Sequence, residues 1–255
     1  MPADPLADFG DKVVLVSGAS SGIGSAIAVM LARHGARLIL VGRDMEKLRG
    51  TSEQLGGVEH RNVRLDLAKT EDIMPTVINV SKELGPIYGL CHAAGLAGTL
   101  PLRASNPDHI RWMLEVNLIA GIELARAVTS RGVRDPEGGS IVFLSSVYGI
   151  VGKPGVIGYS ASKGAIAAAA RSMAVELAAS NIRVNVLSPG LVWTDMTRKA
   201  LSTLSHENVK KIEDDHPLRT GTPEDVARAA VFLMAPQNSW MTGADLVIDG
   251  GYTAK

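Results

Sequence analysis

The sequence predicts an α/β fold: one Rossmann-like, doubly wound domain over residues 1–255, with about seven mostly parallel strands and helices on both faces. Three observations carry this expectation. Short β-branched apolar runs alternate with longer segments of helical pattern. The runs are apolar nearly throughout, as strands are when helices cover both faces of a sheet. The first run leads straight into a glycine-rich turn and an apolar helix, Ser17-Gly18-Ala19-Ser20-Ser21-Gly22-Ile23-Gly24 onward.

The expected strands, in order, are Lys12–Ser17, Arg37–Val41, Asn62–Leu65, Ile87–His92, Ser140–Ser145, Arg183–Leu187 and Asp245–Ile248. Helix starts lie between them. Thr70-Glu71-Asp72 offers a capping residue followed by acidic residues in a first turn. Asn106-Pro107 and Thr222-Pro223 each place proline just after a cap. A strand–helix alternation of this kind predicts parallel pairing through right-handed crossovers. From Leu191 to Leu218 the helical periodicity weakens. The stretch follows the penultimate strand, on the side where open α/β sheets bind ligands. It reads as a substrate lid over 191–218 or as an ordinary surface helix with connecting loops.

Composition narrows the function. The chain has 26 basic and 26 acidic residues, so its formal net charge is zero, and neither nucleic acid nor a membrane is expected as partner. No apolar run is long enough to span a bilayer, and the acidic N-terminus does not resemble a signal peptide. A cytoplasmic, soluble protein is expected. The single cysteine, Cys91, reads as a buried strand thiol, and the six histidines lack HExxH spacing, so no metal site is expected.

The glycine-rich turn is the first functional signal. Gly18 permits a tight turn, and Gly22 and Gly24 remove side chains where backbone must approach a phosphate or pack on the sheet. The following helix N-terminus offers free N–H groups to a pyrophosphate. The spacing is GxxxGxG rather than GxGxxG. At the end of the second strand, where dinucleotide folds often carry an acidic residue for the ribose hydroxyls, stand Gly42-Arg43-Asp44. A guanidinium pairs with a 2′-phosphate that a carboxylate would repel. NADP(H) is therefore the preferred cofactor. NAD(H) is the alternative, with Asp44 facing the ribose and Arg43 solvated.

The second signal is Ser146 at the end of the fifth strand, followed by Tyr159 and Lys163. The last two are four apart on an expected helix and share a face. A nearby ammonium lowers a tyrosine pKa from about 10 toward neutrality. Tyr159 can then exchange a proton with a carbonyl or alcohol oxygen, and Ser146 can hold that oxygen.

With these motifs the sequence resembles the short-chain dehydrogenase/reductase family from about Phe9 to Gly251. The glycine motif matches at Ser17–Gly24, with Ser17 where threonine is usual. The family's adenine-ring aspartate matches Asp66, followed by Leu67, and its catalytic asparagine matches Asn117. Its serine, tyrosine and lysine match Ser146, Tyr159 and Lys163. Its Pro-Gly motif matches Pro189-Gly190, with Val192 and Thr194 beyond it. The resemblance implies that Tyr159 is the acid/base, that Ser146 orients the substrate oxygen, and that Lys163 lowers the tyrosine pKa and contacts the nicotinamide ribose. It implies that Asn117 holds a water linking Lys163 to a proton relay. Gly18, Ser20, Ser21, Gly22, Ile23, Gly24, Arg43, Asp66, Leu67, Ala94, Gly95, Tyr159, Lys163, Pro189, Gly190, Val192 and Thr194 would then bind the cofactor, and Ser146, Tyr148 and Tyr159 the substrate.

One departure stands out. The family's Asn-Asn-Ala-Gly is His92-Ala93-Ala94-Gly95 here. A hydrogen bond from His92 to the Ser17 region or to backbone is expected, in a structural role.

The C-terminal motifs, Thr194-Asp195-Met196 and Asp249-Gly250-Gly251 among them, resemble the branch that reduces 3-oxoacyl thioesters on a carrier protein. Sugar, polyol and steroid dehydrogenases share them. Leu96, Val147, Tyr148, Ile150, Gly190 and Leu191 are the candidate pocket lining. Arg126, Arg131, Arg134 and Arg171 are candidates for an acidic carrier, against a reading as scattered solvated charges. Family likeness implies a homotetramer. The Ala-rich stretch Gly164–Ala170 fits close helix packing between subunits or packing on the sheet. An alternative of another class, a protein sensing NADP(H) without turnover, draws only on the altered His92-Ala93 pair.

Overall fold

The computed structural model describes residues 7–56, 59–202 and 204–254. Seven strands form one sheet: β1 (Val13–Ser17), β2 (Arg37–Gly42), β3 (Arg61–Arg64), β4 (Ile87–His92), β5 (Gly139–Leu144), β6 (Ile182–Pro189) and β7 (Asp245–Ile248). Their order is β3-β2-β1-β4-β5-β6-β7, and every pairing is parallel. The chain moves outward from β1 to β3, then restarts on the other side of β1 at β4. That reversal opens a crevice at the C-terminal ends of β1 and β4.

The helices are α1 (Gly22–Arg33), α2 (Met45–Ser52), α3 (Ile73–Leu84), α4 (Pro107–Leu114), α5 (Ala120–Val128), α6 (Ile157–Leu177), α7 (Asp195–Leu201), α8 (His206–Asp214) and α9 (Pro223–Met234). Alternate strand residues point to opposite faces. Val13 and Leu15 join a core with Val77 and Leu84 of α3, Leu124 of α5 and Ile166 of α6. Val14 and Val16 join a second core with Ile27 and Leu31 of α1 and Val226 and Ala230 of α9. Each fully buried leucine or isoleucine contributes roughly 1.5–3 kcal/mol, so both cores hold the sheet that carries the site. The Ala-rich part of α6 buries Ile166, Ala170 and Ala174, one turn apart, in the first core. Cys91 is buried on β4, and burial pushes its thiol up to about 12.

Two helix starts follow the sequence pattern. Asn106 accepts from His109 N–H at 2.9 Å, and Thr222 forms a reciprocal capping box with Asp225. The third differs. Thr70 opens a 3₁₀ turn over Thr70–Asp72, and α3 begins only at Ile73. The stretch 191–218 folds as α7 and α8, capped by Thr194 and Ser205. Local capping replaces the apolar periodicity that is weak there. Both ends of the stretch are tied down: Gly221 N–H donates to Leu191 O, and Leu218 N–H to Gly250 O. No described helix is long and apolar enough to cross a membrane.

Candidate active site

One open cleft of about 350 Å³ lies over the C-terminal ends of the strands. The glycine turn forms its floor at one end. A Cβ on Gly24 would stand 2.2 Å from Gly18 O, and one on Gly18 would stand 2.7 Å from Ala94 N, so only glycine permits these approaches. Gly18 and Gly22 also take positive φ, +70° and +56°. Ser21 precedes α1 without spending its hydroxyl on a cap, and no acidic residue occupies the first turn. The turn is fixed from behind by Thr51 of α2, whose hydroxyl donates to Ala19 O at 2.9 Å and meets Ser25 Oγ.

The cleft brings together Gly18, Ser20, Ser21, Gly22, Ile23, Gly24, Arg43, Asp66, Leu67, Ala94, Gly95, Ser146, Tyr159, Lys163, Pro189, Gly190, Val192 and Thr194. Asn117 and Tyr148 stand outside its lining: Asn117 is fully buried behind it, and Tyr148 lies beyond Ser146. Trp112, Val116 and Thr197 line the cleft without having been singled out in the sequence, and Met196, named there only within a family motif, joins them. They come from α4, the turn after it and α7, which approach the strand ends only in three dimensions.

At the outer end, Ser20, Ser21, Arg43, Asp44, Glu46, Lys47 and Arg64 surround a second depression. Strand register places Arg64 beside Gly42. Arg43, Lys47 and Arg64 make no ion pair among the described residues. Asp44 Oδ1 accepts from Glu46 and Lys47 N–H as the cap of α2. Asp44 thus spends Oδ1 on its own helix while still bordering the depression beside Arg43. Arg64 is a residue that sequence reasoning missed; its signal was its place at the end of the strand next to β2.

At the inner end, β5 runs into Ser145 and Ser146. Ser145 Oγ donates to Lys163 O at 2.8 Å, which fastens the strand end to α6. Ser146 Oγ accepts from Tyr148 N–H at 3.2 Å. Lys163 is buried, and its Nζ donates to Leu144 O at 2.6 Å while standing 5.8 Å from the centre of the Tyr159 ring. Burial brings the ammonium down to about 8. Tyr159 departs from the sequence expectation: its phenol is pushed up rather than down, chiefly by burial, while neighbouring Ser146 pulls the other way. Desolvation of the phenolate prevails, and the Lys163 ammonium, 5.8 Å from the ring centre, does not offset it.

Asn117 sits in a π-helical turn, Glu115–Ile119, between α4 and α5. Its Oδ1 accepts from Leu96 N–H at 2.7 Å. Its Nδ2 donates to Leu96 O and to Ser162 Oγ, both at 2.9 Å. The side chain therefore clamps the Gly95–Leu96 segment to α6 and has no further amide hydrogen to give to a water.

His92 behaves as expected of a structural group. Ala94 N–H donates to Ser17 Oγ at 3.4 Å, and Ser17 Oγ lies 2.8 Å from His92 Nδ1. With Ser17 as donor, the ring is the neutral Nε2–H tautomer. Its Nε2 has no hydrogen-bond partner among the described residues. Burial, and then the Lys163 charge, bring His92 down to about 3. The ring fits because Gly121 opposite has no side chain; a Cβ there would stand 2.9 Å from His92 Cδ2. Arg134 pairs with Ile87 at the start of β4, the sheet end opposite the cleft, and Arg126 pairs with Glu123. Neither borders the cleft mouth.

Comparisons with known proteins agree with this geometry. A family model described as enoyl-(acyl carrier protein) reductase matches residues 18–253. A 3-oxoacyl-[acyl-carrier-protein] reductase of Mus musculus is 40% identical over 243 residues, covering 94% of this chain and 98% of the relative. A glucose 1-dehydrogenase of Gluconobacter oxydans is 34% identical over 257 residues, covering 99% and 96%. Among solved structures, a short-chain type dehydrogenase/reductase from Mycobacterium ulcerans superposes with a TM-score of 0.90 at 29% identity, covering 97% of this chain and 92% of that one.

Proposed function

The chain belongs to the short-chain dehydrogenase/reductase family, and from that premise we propose that it is an NADP(H)-dependent reductase of ketones to secondary alcohols, with 3-oxoacyl thioesters as its substrate class. The observation that carries this reading is one cleft holding both a phosphate-sized glycine cradle and Ser146, Tyr159 and Lys163.

The cradle fits the family's dinucleotide: Gly18, Gly22 and Gly24 leave room that a Cβ would fill. Arg43, Lys47 and Arg64 supply cationic donors for a 2′-phosphate, and Asp44 spends Oδ1 on capping α2. When bound, the nicotinamide supplies or takes up the hydride. The chain's own work is to hold an oxygen and move a proton. Ser146 donates to the substrate oxygen. Tyr159 Oη gives its proton to that oxygen in reduction and takes it back in oxidation. A phenol that burial keeps protonated is an acid at neutral pH, which favours ketone reduction. Lys163 Nζ, on the face of Tyr159, stabilises the phenolate left behind. Asn117 is a positioning residue that holds the cleft wall at Leu96.

The substrate class is supported by relatives described as 3-oxoacyl-[acyl-carrier-protein] reductase and by apolar Leu96, Trp112, Val116 and Met196 on the cleft. Sugar oxidation is the second reading, supported by the glucose 1-dehydrogenase relative. The stretch 191–218 acts as a lid, since Met196 and Thr197 of α7 line the cleft. The protein works in the cytoplasm as a homotetramer. Exposed Ile119, Ile122 and Val175 on one side, and Phe232 and Trp240 on another, offer apolar contact surface.

The test is the initial rate of NADPH and of NADH oxidation with an acetoacetyl thioester at neutral pH, using Tyr159→Phe as blank. Tyrosine-dependent turnover favouring NADPH is expected. Preference for NADH would contradict the cofactor assignment. Turnover of glucose but not of the thioester would favour the second reading.

A further inference from the structure

The chain leaves the end of β6, forms α7 and α8, and comes back to its own starting point at one buried ring. α8 ends at Asp214, where the last carbonyls lack helical partners. His216 folds back on that end. Its Nε2 accepts from Leu191 N–H at 3.1 Å, so the proton sits on Nδ1, which donates to Ile212 O at 3.0 Å. One imidazole therefore caps α8 and grips the residue from which the excursion departs.

The ring is held on its other sides as well. His216 is 5% exposed and stacks on Tyr252, with centroids 4.9 Å apart at 25°. Tyr252 is fixed in turn, since the Asp249 carboxylate accepts from Gly251 N–H, Thr253 N–H and the Thr253 hydroxyl. A Cβ on Gly190 would stand 3.1 Å from His216 Nε2 and 3.0 Å from Asp249 Cα, so glycine there lets the imidazole reach Leu191.

Leu191 is thus bound through both of its main-chain groups by returning chain. Its N–H goes to His216 Nε2, and its carbonyl accepts from Gly221 N–H at 2.8 Å. Its neighbours Gly190, Val192 and Thr194 line the cleft. The wall they form starts on β6, the strand beside the one that leads into Ser146. It reaches the glycine turn, where a Cβ on Gly22 would stand 3.3 Å from Thr194 Cγ2. Arg43 and Arg64 lie at the far side of the sheet order, beyond β2 and β3.

We propose that His216 is a positioning residue for the nicotinamide half of the cofactor: by accepting from Leu191 it holds the 190–194 wall in place before the dinucleotide arrives. This rests on the dinucleotide reading above, in which the nicotinamide lies near Ser146 and Tyr159, because the hydride must reach the carbon whose oxygen they hold. Without the acceptor, the part-buried Leu191 N–H is left unpaired and its peptide turns toward water. Binding must then restore the wall, and affinity falls by the cost of that ordering.

The test uses two substitutions in the full chain that divide the properties of the ring. His216→Phe keeps a ring to stack on Tyr252 and loses the acceptor. His216→Gln loses the ring and keeps an oxygen at the reach of Nε2. Calorimetric titration compares NADPH, which spans both ends of the cleft, with adenosine 2′,5′-bisphosphate, which lacks the nicotinamide half. His216→Phe should weaken NADPH about 10-fold and leave the bisphosphate within about 2-fold. His216→Gln should recover most of the NADPH affinity. In hydrogen exchange read by mass spectrometry, the peptide containing Leu191 should lose protection in the first variant and regain it in the second. Unaltered NADPH affinity in His216→Phe, or a His216→Gln no better than His216→Phe, would overturn the inference, since packing alone would then account for the ring. An equal loss for both ligands would also overturn it, as a general loss of fold. A wild type that binds NADH and not NADPH would remove the NADP(H) reading alone, and NADH against adenosine 5′-monophosphate then tests the wall in the same way. No binding of either dinucleotide would contradict both.

Discussion

The ammonium of Lys163 lies 2.6 Å from the carbonyl oxygen of Leu144, the last residue of β5. A buried charge is thereby tied to the strand end that also delivers Ser146. Burial governs two electrostatic features of the site. Lys163 is held down, to about 8, by desolvation of its ammonium, and Tyr159 is held up chiefly by desolvation of its phenolate.

The buried lysine makes stability depend on pH in the alkaline range. Its folded value, about 8, is below its ordinary 10.5. Between these two the unfolded chain binds a proton that the folded chain does not, so stability gains as pH rises. Lys163→Met removes this term. Denaturant melts from pH 7 to 10.5 should show wild type gaining on the variant only above pH 8, by at most about 1.4 kcal/mol per pH unit.

His92 sets the opposite limit. Folded, it titrates near 3; unfolded, near 6.5. Its contribution is complete above 6.5 and is lost as pH falls from there toward 3, because the unfolded chain gains the proton. His92→Asn should flatten the acid side of the stability curve. Equal acid sensitivity in both proteins would contradict a buried neutral imidazole.

Two glycines should respond in opposite ways to alanine. At Gly24 the new Cβ would stand 2.2 Å from Gly18 O, so Gly24→Ala should lose about 1–3 kcal/mol and weaken dinucleotide binding. Gly50, on α2, has nothing within 4 Å, and Gly50→Ala should gain roughly 0.5–1 kcal/mol. Thermal melts with and without NADPH check both.

Arg43→Ala and Arg64→Ala should each weaken NADPH binding about 10-fold with little effect on NADH, read by fluorescence titration. Asp44→Ala should instead cost the α2 cap, about 1 kcal/mol, without improving NADPH over NADH. An Arg64 variant with unaltered NADPH affinity would remove that residue from the phosphate site.

The sheet was legible because its strands are short, apolar and spaced by helical pattern; all seven fall within a few residues of their expected places. The glycine turn and the Ser146, Tyr159, Lys163 set were legible because their spacing is local to one turn or one helix. Arg64 and Lys47 were not, since an exposed cation at a strand or helix end has no pattern of its own until register sets it beside Gly42. The direction of the Tyr159 shift was also hidden. Spacing places an ammonium on the same helix face, but only the three-dimensional structure reveals that desolvation of the phenol outweighs it. The α7–α8 stretch lacked periodicity because little of it is buried, and its helices depend on Thr194 and Ser205 caps.

The most direct measurement is isotope transfer from NADPH deuterated at C4 of the nicotinamide, using the acetoacetyl thioester as acceptor and each C4 epimer in turn. Mass spectrometry of the alcohol should find one deuterium on the carbinol carbon with one epimer, none with the other, and no product with Tyr159→Phe. Alcohol formed without label from either epimer, or formed equally by Tyr159→Phe, would contradict direct reduction at this tyrosine-dependent site.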